Sequence, residues 1–221
     1  VKKDGQSFLE RCRILFHGDG AAIPSGNDRP RYEHLRDVFN AKKIDPALDA
    51  VGIGRSEMFV YLNRHCFNGL CRYNSKGKFN VPFGRYKGPS VPHDDILLFH
   101  KQIQSVTFTA GDYTKMLATL NPGDGDVVYL DPPYVPLSAT ASFTDYSNDG
   151  GFPMAKQEEL AKLAEKYSAQ GAVVLVSNHD TTVSRDLYKN ASSIHAFEVT
   201  RFISAAGKSR NKAPELIAVY K

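Results

Sequence analysis

The chain has 221 residues, 42% of them apolar, and a formal net charge of +4. That is enough apolar content to bury a real core, which excludes a chain disordered by composition. No apolar run reaches membrane-spanning length and no apolar signal core follows the start, so a cytoplasmic protein with no membrane partner is expected. Three cysteines, Cys12, Cys66 and Cys71, do not make a disulfide framework. His65 beside Cys66 and Cys71 hints at zinc, but no second pair follows at ligand spacing, so no metal is expected.

Residues 7–17 read as a helix with Phe8, Leu9, Cys12, Leu15 and Phe16 on one face. Residues 18–30 are a Gly/Pro/Asp-rich break, 31–40 a short amphipathic helix, and a second break runs through Pro46. Ser56 is a plausible N-cap for a helix to Cys66, with Met58, Phe59, Tyr61 and Leu62 packing inward. Residues 70–74 and 79–83 look like two short strands around a turn at 75–78, a β-hairpin whose Pro82 marks an edge strand.

Charge is distributed unevenly here. From Met58 to His93 there are six cations and seven aromatics but no acid. Cations neutralise phosphates and aromatics stack on bases, so this stretch suggests a nucleic-acid partner. Residues 199–214 form a second acid-free stretch, with Arg201, Lys208, Arg210 and Lys212. For most of these lysines and arginines, taken singly, a solvated surface charge is the better explanation.

Further on, strands are expected at 106–109, 127–130, 172–176, 194–199 and 216–220. Helical patterns at 154–168 and 183–190 lie between them, which argues for an α/β sheet that is mostly parallel. Ligands of such sheets bind beyond the carboxyl ends of strands. After the strand at 127–130 comes Asp131-Pro132-Pro133-Tyr134. Two prolines fix two φ angles and remove two amide donors, leaving a rigid set of oxygen acceptors beside a flat ring. Such a set grips an exocyclic amino group on a planar base and turns its lone pair toward an electrophile such as a sulfonium methyl. The plainer reading is that Pro-Pro ends a strand and Tyr134 packs on a helix.

The tetrapeptide resembles motif IV of amino-methyltransferases. The run Asn63 to Tyr86, NRHCFNGLCRYNSKGKFNVPFGRY, is more specific and resembles the target-recognition hairpin of Dam-type DNA adenine-N6 methyltransferases. Residues 136–141, Ser177-Asn178-His179-Asp180, 201–204 and 215–217 are similar to the same family. The resemblance implies a Rossmann-like class I methyltransferase sheet, incomplete at the N-terminus, with an inserted helical and β-hairpin DNA-recognition domain. It divides the chain into 1–23, an N-terminal helix of the catalytic domain, 24–99, the recognition domain with its hairpin at 70–86, and 100–221, the catalytic domain. The implied reaction moves a methyl group from S-adenosylmethionine to adenine N6 in double-stranded GATC sites, in a bacterial or phage-infected cell.

By the same resemblance Arg72 reads a guanine edge and Phe67 wedges into the stack, where the family usually has Tyr. Asn68 meets the orphaned thymine. Leu70, Asn74, Pro82 and Tyr86 supply further base contacts, and Arg85 touches phosphate or base. The extruded adenine would sit between Asp131 and Tyr134. Ordinary core packing stands as the alternative for Phe67 and Tyr86. Asp112 and Tyr113 resemble the segment that meets the cofactor's adenine, although an acid there is also a common helix N-cap. Residues 135–151, rich in Ser, Thr, Asp and Gly, are expected to order over the site as a lid.

The family's opening glycine-rich loop, and the later acid that holds the cofactor ribose, are not found. Gly52-Ile53-Gly54 does not replace the loop. Unpaired sheet edges are therefore expected. Two alternatives stay open: a GATC-binding relic without cofactor binding, and a methyltransferase acting on RNA or protein glutamine, which leaves Arg72 and its hairpin unexplained.

Overall fold

The computed structural model describes residues 1–17, 29–41, 45–137, 152–200 and 212–221. The expected break at 18–30, the expected lid at 135–151, the family segment 201–204 and most of the second acid-free stretch lie largely or wholly outside these residues. The backbone divides into two compact units, Val1–Thr109 and Ala110–Lys221.

The N-terminal unit is helical. It contains α1 (Gly5–His17), α2 (Arg29–Asn40), α3 (Pro46–Ala50), α4 (Arg55–His65) and α5 (His93–Gln102). All five apolar residues expected on the inner face of α1 are buried. On α4, Met58, Tyr61 and Leu62 are fully buried and Phe59 partly so. Each large apolar side chain so removed from water contributes about 1.5–3 kcal/mol, so these two stripes are a substantial part of the unit's core. Ile53 joins this core, so the glycines on either side of it serve the entry to α4. The N-cap of α4 is Gly54 rather than Ser56, because Arg55 and Ser56 already lie in the helix. The Glu57 carboxylate accepts the Gly54 N–H at 3.0 Å and, through its other oxygen, Arg11 Nε at 2.9 Å. Arg31 is buried: its guanidinium donates to the Leu15 carbonyl and lies over the Tyr61 ring. His65 stacks on the other side chain of that pair, 3.8 Å between the Tyr61 and imidazole centroids.

The C-terminal unit contains α6 (Tyr113–Leu120), β1 (Val127–Leu130), α7 (Met154–Ala169), β2 (Val173–His179), α8 (Thr182–Leu187), β3 (Ser193–Thr200) and β4 (Lys212–Tyr220). The sheet order is β1-β2-β4-β3. Only β1 and β2 pair in parallel; β4 is antiparallel to both β2 and β3. The expected mostly parallel sheet is thus corrected to a mixed one. The reason is topological: β1, β2 and β3 run one way, and the single reversed strand inserts between β2 and β3, making two of three pairings antiparallel. Leu160, Ala161, Ala164 and Tyr167 of α7 pack against Val174, Val176, Leu216, Ala218 and Tyr220. In the described sheet β1 pairs with β2 alone, and its Val127 and Tyr129 are 69% and 59% exposed.

Residues 106–109 are not a strand. Val106 and Phe108 are exposed, and no described strand lies alongside to complete a ladder, so β-branched and aromatic content alone does not make one. Among the described residues no helix is long and apolar enough to cross a membrane.

Candidate functional site

In the N-terminal unit the expected hairpin closes on fewer pairs than two full strands would make. Residues 78–84 serve two partners in turn. They first meet 72–74, through Asn74 N–H to Lys78 O and Asn80 N–H to Arg72 O, with an isolated bridge Tyr73↔Phe79. They then meet 65–67, through Phe67 N–H to Pro82 O at 2.8 Å and Gly84 N–H to His65 O at 2.8 Å, with the bridge Cys66↔Phe83. Pro82 has no N–H to extend either ladder, and the Asn74 side chain takes the Lys76 and Lys78 N–H groups at 3.0 Å each. Residues 68–71 therefore loop out between the two bridges.

That loop and the segments flanking it carry the side chains of interest. Asn68 is left-handed, φ 53°, and its N–H donates to Tyr86 Oη at 2.8 Å. Tyr86 Oη also lies 3.3 Å from Asn68 Oδ1. A Cβ on Gly84 would stand 2.4 Å from the Tyr86 ring and 2.6 Å from the Cys66 carbonyl, so only glycine admits this close approach. Phe67 and Tyr86 are 47% and 43% exposed, which rules out core packing for either. Asn68, Arg72, Asn74, Pro82 and Arg85 are exposed as well, while Leu70 is half-buried against the core. Arg85 also has positive φ, 57°. Arg72 is held by one residue: Nε donates to Asn80 Oδ1 at 2.8 Å and Nη2 to Asn80 O at 3.1 Å. Asn80 was not anticipated from sequence; its position directly across the turn from Arg72 is the signal that marks it.

In the C-terminal unit Asp131-Pro132-Pro133-Tyr134 follows β1 at its carboxyl end. Asp131 is exposed, and Ser177 Oγ on neighbouring β2 donates to its Oδ1 at 2.7 Å. Tyr134 is half-buried, and its ring meets the His179 ring edge-on, 5.0 Å between centroids at 81°. Burial holds the Tyr134 hydroxyl above the usual phenol range, and the nearby Asp131 charge adds to this. Tyr134 thus stays neutral at physiological pH, a flat face beside an anchored carboxylate.

The end of β2 fixes the backbone that follows. Asn178 Oδ1 accepts the Val135 N–H at 2.8 Å, His179 Nδ1 lies 2.7 Å from the Val135 carbonyl, and Gln157 Nε2 donates to the Pro133 carbonyl at 2.7 Å. In sequence Ser177, Asn178 and His179 carry no signal beyond a family-like run. Gln157 had a readable signal: positions 157, 160, 161 and 164 share the buried face of α7, and a lone amide on an apolar stripe needs polar partners there.

Asp112 N-caps α6. Its Oδ1 accepts from Thr114 N, Thr114 Oγ1 and Lys115 N, at 3.0, 2.5 and 3.3 Å. The Thr114 hydroxyl holds its carboxyl below the usual range. The capping reading therefore holds for one oxygen, and all three bonds leave Oδ2 for a further donor. Tyr113 Oη donates to Glu159 Oε2 at 2.9 Å, and Lys156 Nζ lies over its ring at 5.5 Å.

The mixed α/β sheet thus carries an anchored carboxylate and a ring at the carboxyl end of one strand, where ligands of such sheets bind. The family description "D12 class N6 adenine-specific DNA methyltransferase" matches residues 11–203, and the chain belongs to this family. Over its whole length the chain is 41% identical to DNA adenine methylase of Escherichia coli K12, covering 73% of that protein. It is 40% identical to the enzymes of the same name from Serratia marcescens and Vibrio cholerae, covering 76% and 74% of them.

Proposed function

We propose that the chain transfers a methyl group from S-adenosylmethionine to adenine N6 in GATC duplex DNA, after extruding the base. In this reading residues 24–99 are an inserted recognition domain and 100–221 a Rossmann-like catalytic domain. The observation that carries it is the Asp131 carboxylate, fixed through one oxygen by Ser177 and left with the other for an amino hydrogen. Asp131 and the adjoining backbone carbonyl of Pro132 hold the amine so that its lone pair faces outward, and the Tyr134 ring stacks on the base. Orienting the amine and excluding alternative poses is the larger part of what the protein must do, since methyl transfer in line needs no proton in hand at the start.

The cofactor supplies an electrophilic methyl group on a sulfonium. Residues of this chain suit it: Asp112 retains one open carboxylate oxygen for an amino donor, Tyr113 offers a ring face, and Asp131 places negative charge near a cation. The exposed Phe67 supplies a wedge, Asn68 a partner for the orphaned base, and Arg72, with Nη1 and one Nη2 hydrogen left over by Asn80, a fork for guanine O6 and N7. Leu70, Asn74, Pro82, Arg85 and Tyr86 complete the surface.

The test is a plasmid from an unmethylated host incubated with the protein and S-adenosylmethionine. Cutting by a nuclease that requires methyl-adenine in GATC supports the proposal. Tight, salt-sensitive GATC binding with no methylation would instead favour a non-catalytic binder.

A further inference from the structure

We infer that Gln157 and Asn178 are positioning residues that aim the Tyr134 ring, an inference resting on the reading of Tyr134 as the stacking face. The direction of a side chain is set by the two peptide planes that flank its Cα. At Tyr134 those planes are the 133–134 peptide, which carries the Pro133 carbonyl, and the 134–135 peptide, which carries the Val135 N–H. Gln157 Nε2 holds the first at 2.7 Å and Asn178 Oδ1 holds the second at 2.8 Å. The two amides are themselves joined, Asn178 Nδ2 to Gln157 Oε1 at 3.2 Å. One hydrogen-bonded pair, on α7 and β2, therefore fixes both φ and ψ of the residue between two rigid prolines and the following loop.

The clamp is closed to water. Gln157 is 2% exposed and Asn178 is fully buried. Asn178 spends its second N–H on Tyr188 Oη at 2.9 Å, and its oxygen also accepts the His179 N–H at 2.9 Å. With all four of its hydrogen-bonding positions used, the amide has one orientation available. His179 extends the same restraint by one peptide, at the Val135 carbonyl, and abuts the Tyr134 ring. Neither Gln157 nor Asn178 presents an atom to the surface, so neither touches substrate; they act through Tyr134.

Gln157→Leu keeps the volume and removes both bonds; Gln157→Glu keeps the shape and, when ionised, removes the donor to Pro133. Each is expected to lower kcat for methyl transfer by about tenfold, with DNA KM within about twofold, because a ring displaced by a fraction of an ångström still binds but no longer holds the amine in line. In a Tyr134→Ala background Gln157→Leu is expected to cost less than about twofold more, since the ring it aims is gone. Amide exchange at Val135 gives a readout that does not require turnover: it should quicken by about tenfold or more in Gln157→Leu, which releases Asn178, and stay near the parent rate in Gln157→Glu, which still accepts from Asn178 Nδ2, under conditions where the fold is intact by circular dichroism. Unchanged Val135 exchange in Gln157→Leu, or an equal kcat penalty with and without Tyr134, would overturn the inference. An unsubstituted protein that methylates nothing would remove the functional reading, while the exchange measurement would still decide whether the clamp exists.

Discussion

The two units hold their candidate functional side chains in opposite ways. In the N-terminal unit Phe67, Arg72 and Tyr86 stand in solvent, and what fixes them is local backbone geometry: two short bridges, a left-handed Asn68 and a glycine that lets a ring lie flat. In the C-terminal unit Asp131 and Tyr134 are steered by side chains that are themselves buried, Ser177, Asn178 and Gln157. A surface that must meet a large polyanion needs exposed groups with modest restraint, since contact itself completes their ordering. A site that must hold one amine in line needs restraint before the substrate arrives. The difference predicts that substitutions in the first unit change which DNA is bound, and substitutions in the second change how fast bound DNA is methylated.

The largest effect that would break this division is at Asp131. Asp131→Ala should lower kcat by about 10³-fold, with the dissociation constant for GATC duplex within about twofold, measured by single-turnover methylation and fluorescence anisotropy. Loss of DNA affinity instead would place Asp131 among the binding groups.

The next effect is on stability and belongs to the N-terminal unit. Burial, reinforced by Arg31, pushes the His65 imidazole down to about 4. Its folded value lies below the unfolded one, so the fold is favoured while His65 is neutral. That stability is fully present above about pH 6.5 and is lost as pH falls toward 4. The shift corresponds to roughly 3 kcal/mol at most. Thermal unfolding of the parent should fall steeply across this window, and His65→Gln should flatten the profile. A parent profile as flat as the variant's would contradict the buried neutral histidine.

Arg72→Ala should cost about 1–3 kcal/mol of discrimination at one guanine, read from competition between GATC and singly altered duplexes. Asn80→Ala should move specificity in the same direction by less, because the guanidinium survives and loses only the bond to Asn80 Oδ1, while the backbone carbonyl of residue 80 still accepts from Nη2. Uniform weakening toward all sequences would assign Arg72 to phosphate. The smallest effect is expected for Tyr86→Phe, which frees Asn68: about 0.5–1.5 kcal/mol in GATC binding, by the same anisotropy assay.

Much of this was legible in the residues. The apolar stripes of α1 and α4 gave the core of the N-terminal unit, and β1, β2, β3 and β4 fell near their expected places because short apolar runs bounded by polar turns have few alternatives. Residues 106–109 misled because a strand is a property of a pair: Phe108 has the right chemistry but no strand beside it among the described residues. The hairpin was half-legible. Its turn at 75–78 is written in Asn74 and Gly77, but the exchange of partners from 72–74 to 65–67 depends on contacts that composition does not encode. Asp131 and Tyr134 announced themselves through the two prolines; the clamp behind them did not, since Gln157 and Asn178 are distant in sequence and meet only once α7 has packed on the sheet.

The measurement that bears most directly on the whole account is mass spectrometry of nucleosides from a GATC duplex treated with the protein and methyl-labelled S-adenosylmethionine. The account predicts one labelled product, N6-methyldeoxyadenosine, formed by the parent, retained at reduced sequence fidelity by Arg72→Ala, and absent with Asp131→Ala. Label on cytosine, or label on adenine that persists without the Asp131 carboxylate, would contradict it.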